Sequence, residues 1–236
     1  MENCQNCHKS FEGNYCPDCG QPARLRRIDG KYIRDEISSV FNLDKGILLT
    51  IKELFIRPGK SIKDFLTTDR HRLVKPILFI LITSIAYSII NHYFKIEDQY
   101  VNYKGMKGTT GRMFAWVQDN YGYANIIMGI FIAGMLKLFF INSGYNFYEV
   151  LILLCFIMGM GMLIFALFAL IQGITRVDLM TTAGIISMIY ITLAIADFYG
   201  RKKPINYLKA VLAYVGGMVF FSISLLFSGI LIDLIF

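Results

Sequence analysis

The run VLILLCFIMGMGMLIFALFALIQGIT, residues 150–175, decides the fold. It holds no charged residue, and as a helix it would be roughly 39 Å long. A core helix of a soluble domain has no use for that length of unbroken apolar sequence, whereas a bilayer span needs about 20 such residues. Four more uncharged runs flank it, at 76–94, 120–136, 179–196 and 210–232. We therefore expect an all-α integral membrane protein with five transmembrane helices, near 76–94, 123–141, 147–173, 179–199 and 205–233. The composition agrees: 55% of residues are hydrophobic, only 17% are charged, and the mean hydropathy is +0.50. Residues 1–30 contain no apolar signal-peptide core, so the first span is expected to serve as an uncleaved insertion signal.

The net charge of +7 is unevenly placed. Residues 1–75 hold 14 of the 24 Lys/Arg and 10 of the 17 Asp/Glu. Basic charge beside apolar spans suits anionic lipid headgroups better than nucleic acid, which is not an expected partner. With five spans, the loop Arg201-Lys202-Lys203 falls on the same side as the basic N-terminal region. The positive-inside bias then places the N-terminus in the cytoplasm and the C-terminus outside. The expected location is a bacterial cytoplasmic (inner) membrane. Trp116 and tyrosines 93, 100, 103, 121 and 123 would form an outer aromatic belt.

Ahead of the spans lie two further regions. Residues 1–28 carry Cys4-x-x-Cys7 and Cys16-x-x-Cys19. Two such pairs can wrap one tetrahedral ion with four thiolates, a closed structural zinc site. Iron in the same cage is the alternative metal, and two disulfides the alternative chemistry, which a reducing cytosol disfavours. His8 is a spare ligand beside a filled coordination sphere. So short a segment buries too little to fold unaided, and the metal would supply most of its folding free energy.

Residues 29–75 form a basic, amphipathic collar. Ile33, Ile37, Val40 and Phe41 share one helical face, Ile47, Ile51, Leu54 and Phe55 a second, and Ile62, Phe65 and Leu66 a third. Arg57-Pro58-Gly59 breaks the second helix from the third, and Ser61-x-x-Asp64 reads as a capping box. Pro76 suits the first position of the first span. Lys52, Arg57, Lys60, Lys63, Arg70, Arg72 and Lys75 give the collar a lipid- or partner-facing charge. Its stripes either lie in the lipid interface or pack on the end of the bundle. His71 reads as a surface residue at headgroup level.

Few ionisable groups enter the bilayer. Lys137, Glu149, Asp197 and Arg201 all fall near the inner ends of their spans, a candidate inner-side polar pocket. The competing reading is snorkelling and headgroup hydration. Gly129-x-x-x-Ala133 and Ala183-x-x-x-Ser187 have helix-contact spacing. The Met-Gly-Met-Gly-Met run at 158–162 reads as packing rather than a copper relay, and Cys155 as an inert buried thiol.

The collar motif Arg57-Pro58-Gly59, with Ile62, Phe65-Leu66, Arg70 and Pro76, follows Cys16-Pro17-x-Cys19-Gly20-Gln21. Together they resemble an uncharacterised family of small bacterial membrane proteins labelled only as a domain of unknown function. The five-span remainder, with Asn146-Phe147-Tyr148-Glu149 opening the third span, is similar to the Yip-type superfamily, which implies a role in membrane organisation. Neither resemblance implies catalytic residues. His8, His71 and His92 are scattered, so no catalytic constellation stands out. The expected function is a non-enzymatic membrane adaptor or organiser with a zinc-bound cytoplasmic head, working with a protein partner or as a homo-oligomer. A small oligomeric transporter or channel is the alternative, with Ser84, Ser88, Asn125, Thr182, Ser187 and Ser224 available to line a path.

Overall fold

The structure, a computed structural model, describes residues 2–3, 7, 9–13, 16–19, 46–70, 72–96 and 108–235. Cys4, His8, the helix expected over 29–41, His71, Tyr100 and Tyr103 lie outside the described residues. The chain divides into two compact units, Met1–Asn42 and Leu43–Phe236.

In the first unit, β1 (Glu2–Asn3) and β2 (Ser10–Phe11) pair antiparallel, Glu2 opposite Phe11 and Asn3 opposite Ser10. A Lys9–Asp18 ion pair of 2.8 Å ties the segment after the first cysteine pair to the second knuckle.

The second unit is helical. Two short helices come first, α1 (Ile47–Ile56) and α2 (Pro58–Thr67). The long helices are α3 (Pro76–Phe94), α5 (Tyr121–Phe139), α6 (Phe147–Thr175), α7 (Met180–Gly200) and α8 (Ile205–Ile235). All five are long and apolar enough to cross a membrane, and their bounds fall within two residues of the five spans expected from the sequence. Pro76 does open α3, where its missing N–H costs nothing. One helix was not expected: α4 (Thr109–Asp119) lies in what reads as the long loop between the first two spans.

The spans alternate in direction, so each end of the bundle gathers every second terminus. α6 is the central helix and packs against α3, α5 and α7. Residues 153–162 of α6 are buried on nearly every face, with Phe156 and Ile157 fully enclosed in a core that includes Phe79, Ile132 and Ile195. The Met-Gly-Met-Gly-Met run is packing: Gly159 lets the Phe79 ring approach and Gly161 meets Ser187. One close helix approach is not flagged by small-residue spacing. A Cβ on Gly217 of α8 would sit 2.5 Å from the Ile132 Cα of α5.

α6 begins with a capping box. Asn146 Oδ1 accepts from the Glu149 N–H at 2.9 Å, and Glu149 Oε2 accepts from the Asn146 N–H at 2.7 Å. The motif that opens the third span is thus explained locally, by two orphan N–H groups satisfied reciprocally.

Candidate functional site

Described polar side chains concentrate at the end of the bundle where α1 and α2 sit. Of the described residues, twelve Lys/Arg and five Asp/Glu lie at this collar end, against three and three at the opposite end.

The collar is a folded element held by one carboxylate. Glu53, on α1, accepts from Arg57 Nε at 2.7 Å and from its second guanidinium nitrogen at 2.9 Å. Arg72, beyond α2, donates to Glu53 at 2.9 Å, and the Ser61 hydroxyl donates at 3.1 Å. Only 12% of the Glu53 side chain is exposed. Hydrogen bonding from Arg57 is the main cause that holds its carboxyl down at about 2; Ser61 and the charges of Arg57 and Arg72 add to it against the opposing effect of burial. Arg57 thereby closes the helix break and Arg72 pins the segment leading into the first span. Thr50 adds a second tie. It donates to the Gly46 carbonyl and accepts from the Val74 N–H at 3.0 Å, and it is fully buried.

Two sequence expectations are corrected here. Ser61 does not cap a helix: α2 starts at Pro58, three residues earlier, and Ser61 is drawn inward to Glu53. Nor does Phe55 belong to the packed stripe of α1. It is 74% exposed, and Thr50 faces inward with Leu54 instead, because its hydroxyl is needed at the Val74 amide. The stripe of α2 is as expected, with Ile62, Phe65 and Leu66 all buried. Phe65 meets Phe156 of α6 edge-on at 5.2 Å.

The bundle grips the joint between the collar helices from one side. Tyr190 of α7 donates to the Leu54 carbonyl at 3.0 Å, and Asp197, two turns on, accepts from the Gly59 N–H at 3.0 Å. The last carbonyls of one helix and the first N–H groups of the next have no partners in their own helices, and α7 supplies one to each. A carboxylate at the α2 N-terminus is also favoured by the helix dipole. Gly59 makes this approach feasible: a Cβ there would lie 2.5 Å from backbone atoms of Asp197 and Phe198.

Three of the four residues of the candidate inner-side pocket are separately engaged. Asp197 caps α2, Glu149 caps its own helix, Lys137 donates to the Tyr145 carbonyl, and Arg201 is exposed. The basic collar residues also divide. Lys52, Lys60 and Lys75 are exposed, Arg57 and Arg72 are bound to Glu53, and Arg70 reaches the Leu66 carbonyl at the end of α2. Lys63 lies 5.7 Å over the Phe198 ring, and Lys209 the same distance over Phe140. Between these two lysines Phe140 stacks on Tyr199 at 3.9 Å, and Tyr145 packs on Phe198.

In the N-terminal unit, the Sγ atoms of Cys7, Cys16 and Cys19 all lie within 4.8 Å of one another, and Cys7 and Cys16 are 3.5 Å apart. That is far beyond a disulfide, at about 2.05 Å, and close to the sulfur spacing around a tetrahedral metal with bonds of about 2.3 Å. Cys16 is buried and Cys19 exposed. Three thiolates can therefore reach one ion, and the donor set suits a soft or borderline metal.

No curated protein and no solved structure matches the chain, and the Yip-type resemblance has no counterpart among the comparisons. Residues 44–88, which hold α1, α2 and the first part of α3, match the family model described as Protein of unknown function (DUF3667).

Proposed function

We propose that this is a non-enzymatic membrane adaptor or organiser whose basic end forms a cytoplasmic platform, with a zinc-bound cysteine head as its docking module. The membrane is the cytoplasmic (inner) membrane of a bacterium, with the N-terminus inside and the C-terminus outside. Zinc is held by Cys7, Cys16 and Cys19, with Cys4 as the fourth ligand that the paired C-x-x-C spacing supplies. The exposed Lys52, Lys60 and Lys75 meet anionic headgroups, each adding on the order of 1 kcal/mol near the surface.

The observation that carries this reading is where the polar groups are used. At the collar end they build a clamped surface. Within the bundle they are turned to packing: Thr83 donates to the Phe79 and Ile80 carbonyls, and Asn125 to Ser84. Ser224, named above as a path-lining residue, donates to the Phe220 carbonyl. The space around α6 is filled by Phe79, Phe156, Ile157 and Leu153, which supports an organiser over a conduit.

The test uses the full chain and its Cys16→Ser variant, purified from cells after mild crosslinking. The expected result is about one zinc per chain in the parent, and a protein partner retained by the parent and lost from the variant. Ion or solute flux through the reconstituted protein above that of empty vesicles would overturn the reading in favour of transport.

A further inference from the structure

The sequence of α1, ILLTIKELFI, is apolar on almost every side. One half of its circumference is accounted for by protein: Thr50 and Leu54 are fully buried, and Ile51 packs against the core. The other half is not covered by the described residues. Leu48 is 51% exposed, Phe55 74% and Ile56 65%, and Leu48 and Phe55 lie two turns apart on one face. The only charges on the helix are Lys52, exposed among these side chains, and Glu53, bound by two arginines. A helix that is apolar all round needs apolar cover all round.

The bonds of α1 place it level with the membrane boundary. Thr50 is tied to the Val74 N–H, two residues before the first span begins. α3, at 19 residues, is about 28 Å long, so a hydrocarbon core of about 30 Å takes all of it and starts at Pro76. The other end of α1 reaches further in: the Leu54 carbonyl is bonded to Tyr190, midway along α7. Ile77 and Leu78, in the first turn of α3 where the span begins, are exposed as well.

We infer that α1 is a bilayer anchor, with Leu48, Phe55 and Ile56 inserted into the acyl boundary of the leaflet on the collar side. Lys52, with its apolar stem along the same face, carries its ammonium back to the phosphates. The occupant of this face is lipid: Lys52, Lys60 and Lys75 complement anionic headgroups, and Thr50 ties the helix to the segment that enters the first span. The collar is then seated in the membrane rather than suspended above it. The inference rests on the platform reading of the basic end, but its test does not depend on the cysteine head.

The test places a fluorescent reporter on the face. Phe55→Trp in a Trp116→Phe background leaves one tryptophan in the full-length protein, reconstituted in vesicles of mixed zwitterionic and anionic phospholipid. The expected result is blue-shifted emission, most of it lost when the acyl chains are brominated, with little quenching by acrylamide. Acrylamide quenching as free as that of N-acetyltryptophanamide overturns the proposal by placing water there. Blue-shifted emission insensitive to both quenchers overturns it by placing protein there, a second copy or another segment of the chain. Leu48→Trp repeats the measurement should Phe55→Trp fail to fold. Loss of zinc or of a protein partner would leave the tryptophan result unchanged, so failure of the adaptor reading is distinguishable from failure of the anchor.

Discussion

Glu53 is the residue on which the collar's local order turns, since one carboxylate joins α1, the helix break and the segment that enters the first span. Its carboxyl is held at about 2, below the ordinary glutamate value of 4.5. A depressed folded-state pKa means that the ionised form is the stabilised one. The contribution is complete above about pH 4.5 and is lost as pH falls from there through about 2. Glu53→Gln should therefore cost about 1–2 kcal/mol at neutral pH, the exposed arginines limiting the value through solvent screening. The variant should lose less stability than the parent when melting in detergent is followed from neutral pH down to pH 2.5. Equal acid sensitivity of the two proteins would show that Glu53 does not couple these segments.

At the scale of elements, the docking of α2 on α7 depends on a missing side chain. Gly59→Ala would set a Cβ against the Asp197 and Phe198 backbone, atoms that cannot rotate away. We expect a loss of about 2–3 kcal/mol, seen as a lower melting temperature and faster tryptic cleavage after Lys60. A variant as stable and as protected as the parent would mean that the two helices are not in contact. This contact also shows what the sequence made legible. The spans could be read because their apolar runs are long and their ends carry local signals, such as Pro76 and the Asn146–Glu149 pair. The Arg57-Pro58-Gly59 break was equally plain. What it serves was not, because Asp197 and Tyr190 lie well over a hundred residues away and nothing in their local sequence marks them as caps. For the same reason Lys137, Glu149, Asp197 and Arg201 read as one pocket by span position, whereas the first three are engaged separately and Arg201 is exposed. α4 escaped notice because TTGRMFAWVQD has no clean apolar stripe. It is held from outside, with the Thr109 N–H on the Asp233 carboxylate and Thr110 against Gly229 of α8. The cysteine cluster was the most legible site of all, since its spacing alone implies the geometry that brings Cys7, Cys16 and Cys19 together.

Across the whole molecule, the two ends of the bundle differ in charge and in construction. The collar end carries the basic excess, the arginine-bound carboxylate and the aromatic cluster between Lys63 and Lys209. The opposite end balances its charges among the described residues. A five-span chain with this asymmetry should insert with the collar end in the cytoplasm and Phe236 on the far side. The proposed platform depends on that orientation, so it is the claim to test first. The most direct measurement is a pair of reporters fused in turn after Phe236, one active only outside the membrane and one only in the cytoplasm. The account predicts that the external reporter is active and the cytoplasmic one silent. The reverse pattern would contradict the orientation and, with it, the cytoplasmic platform.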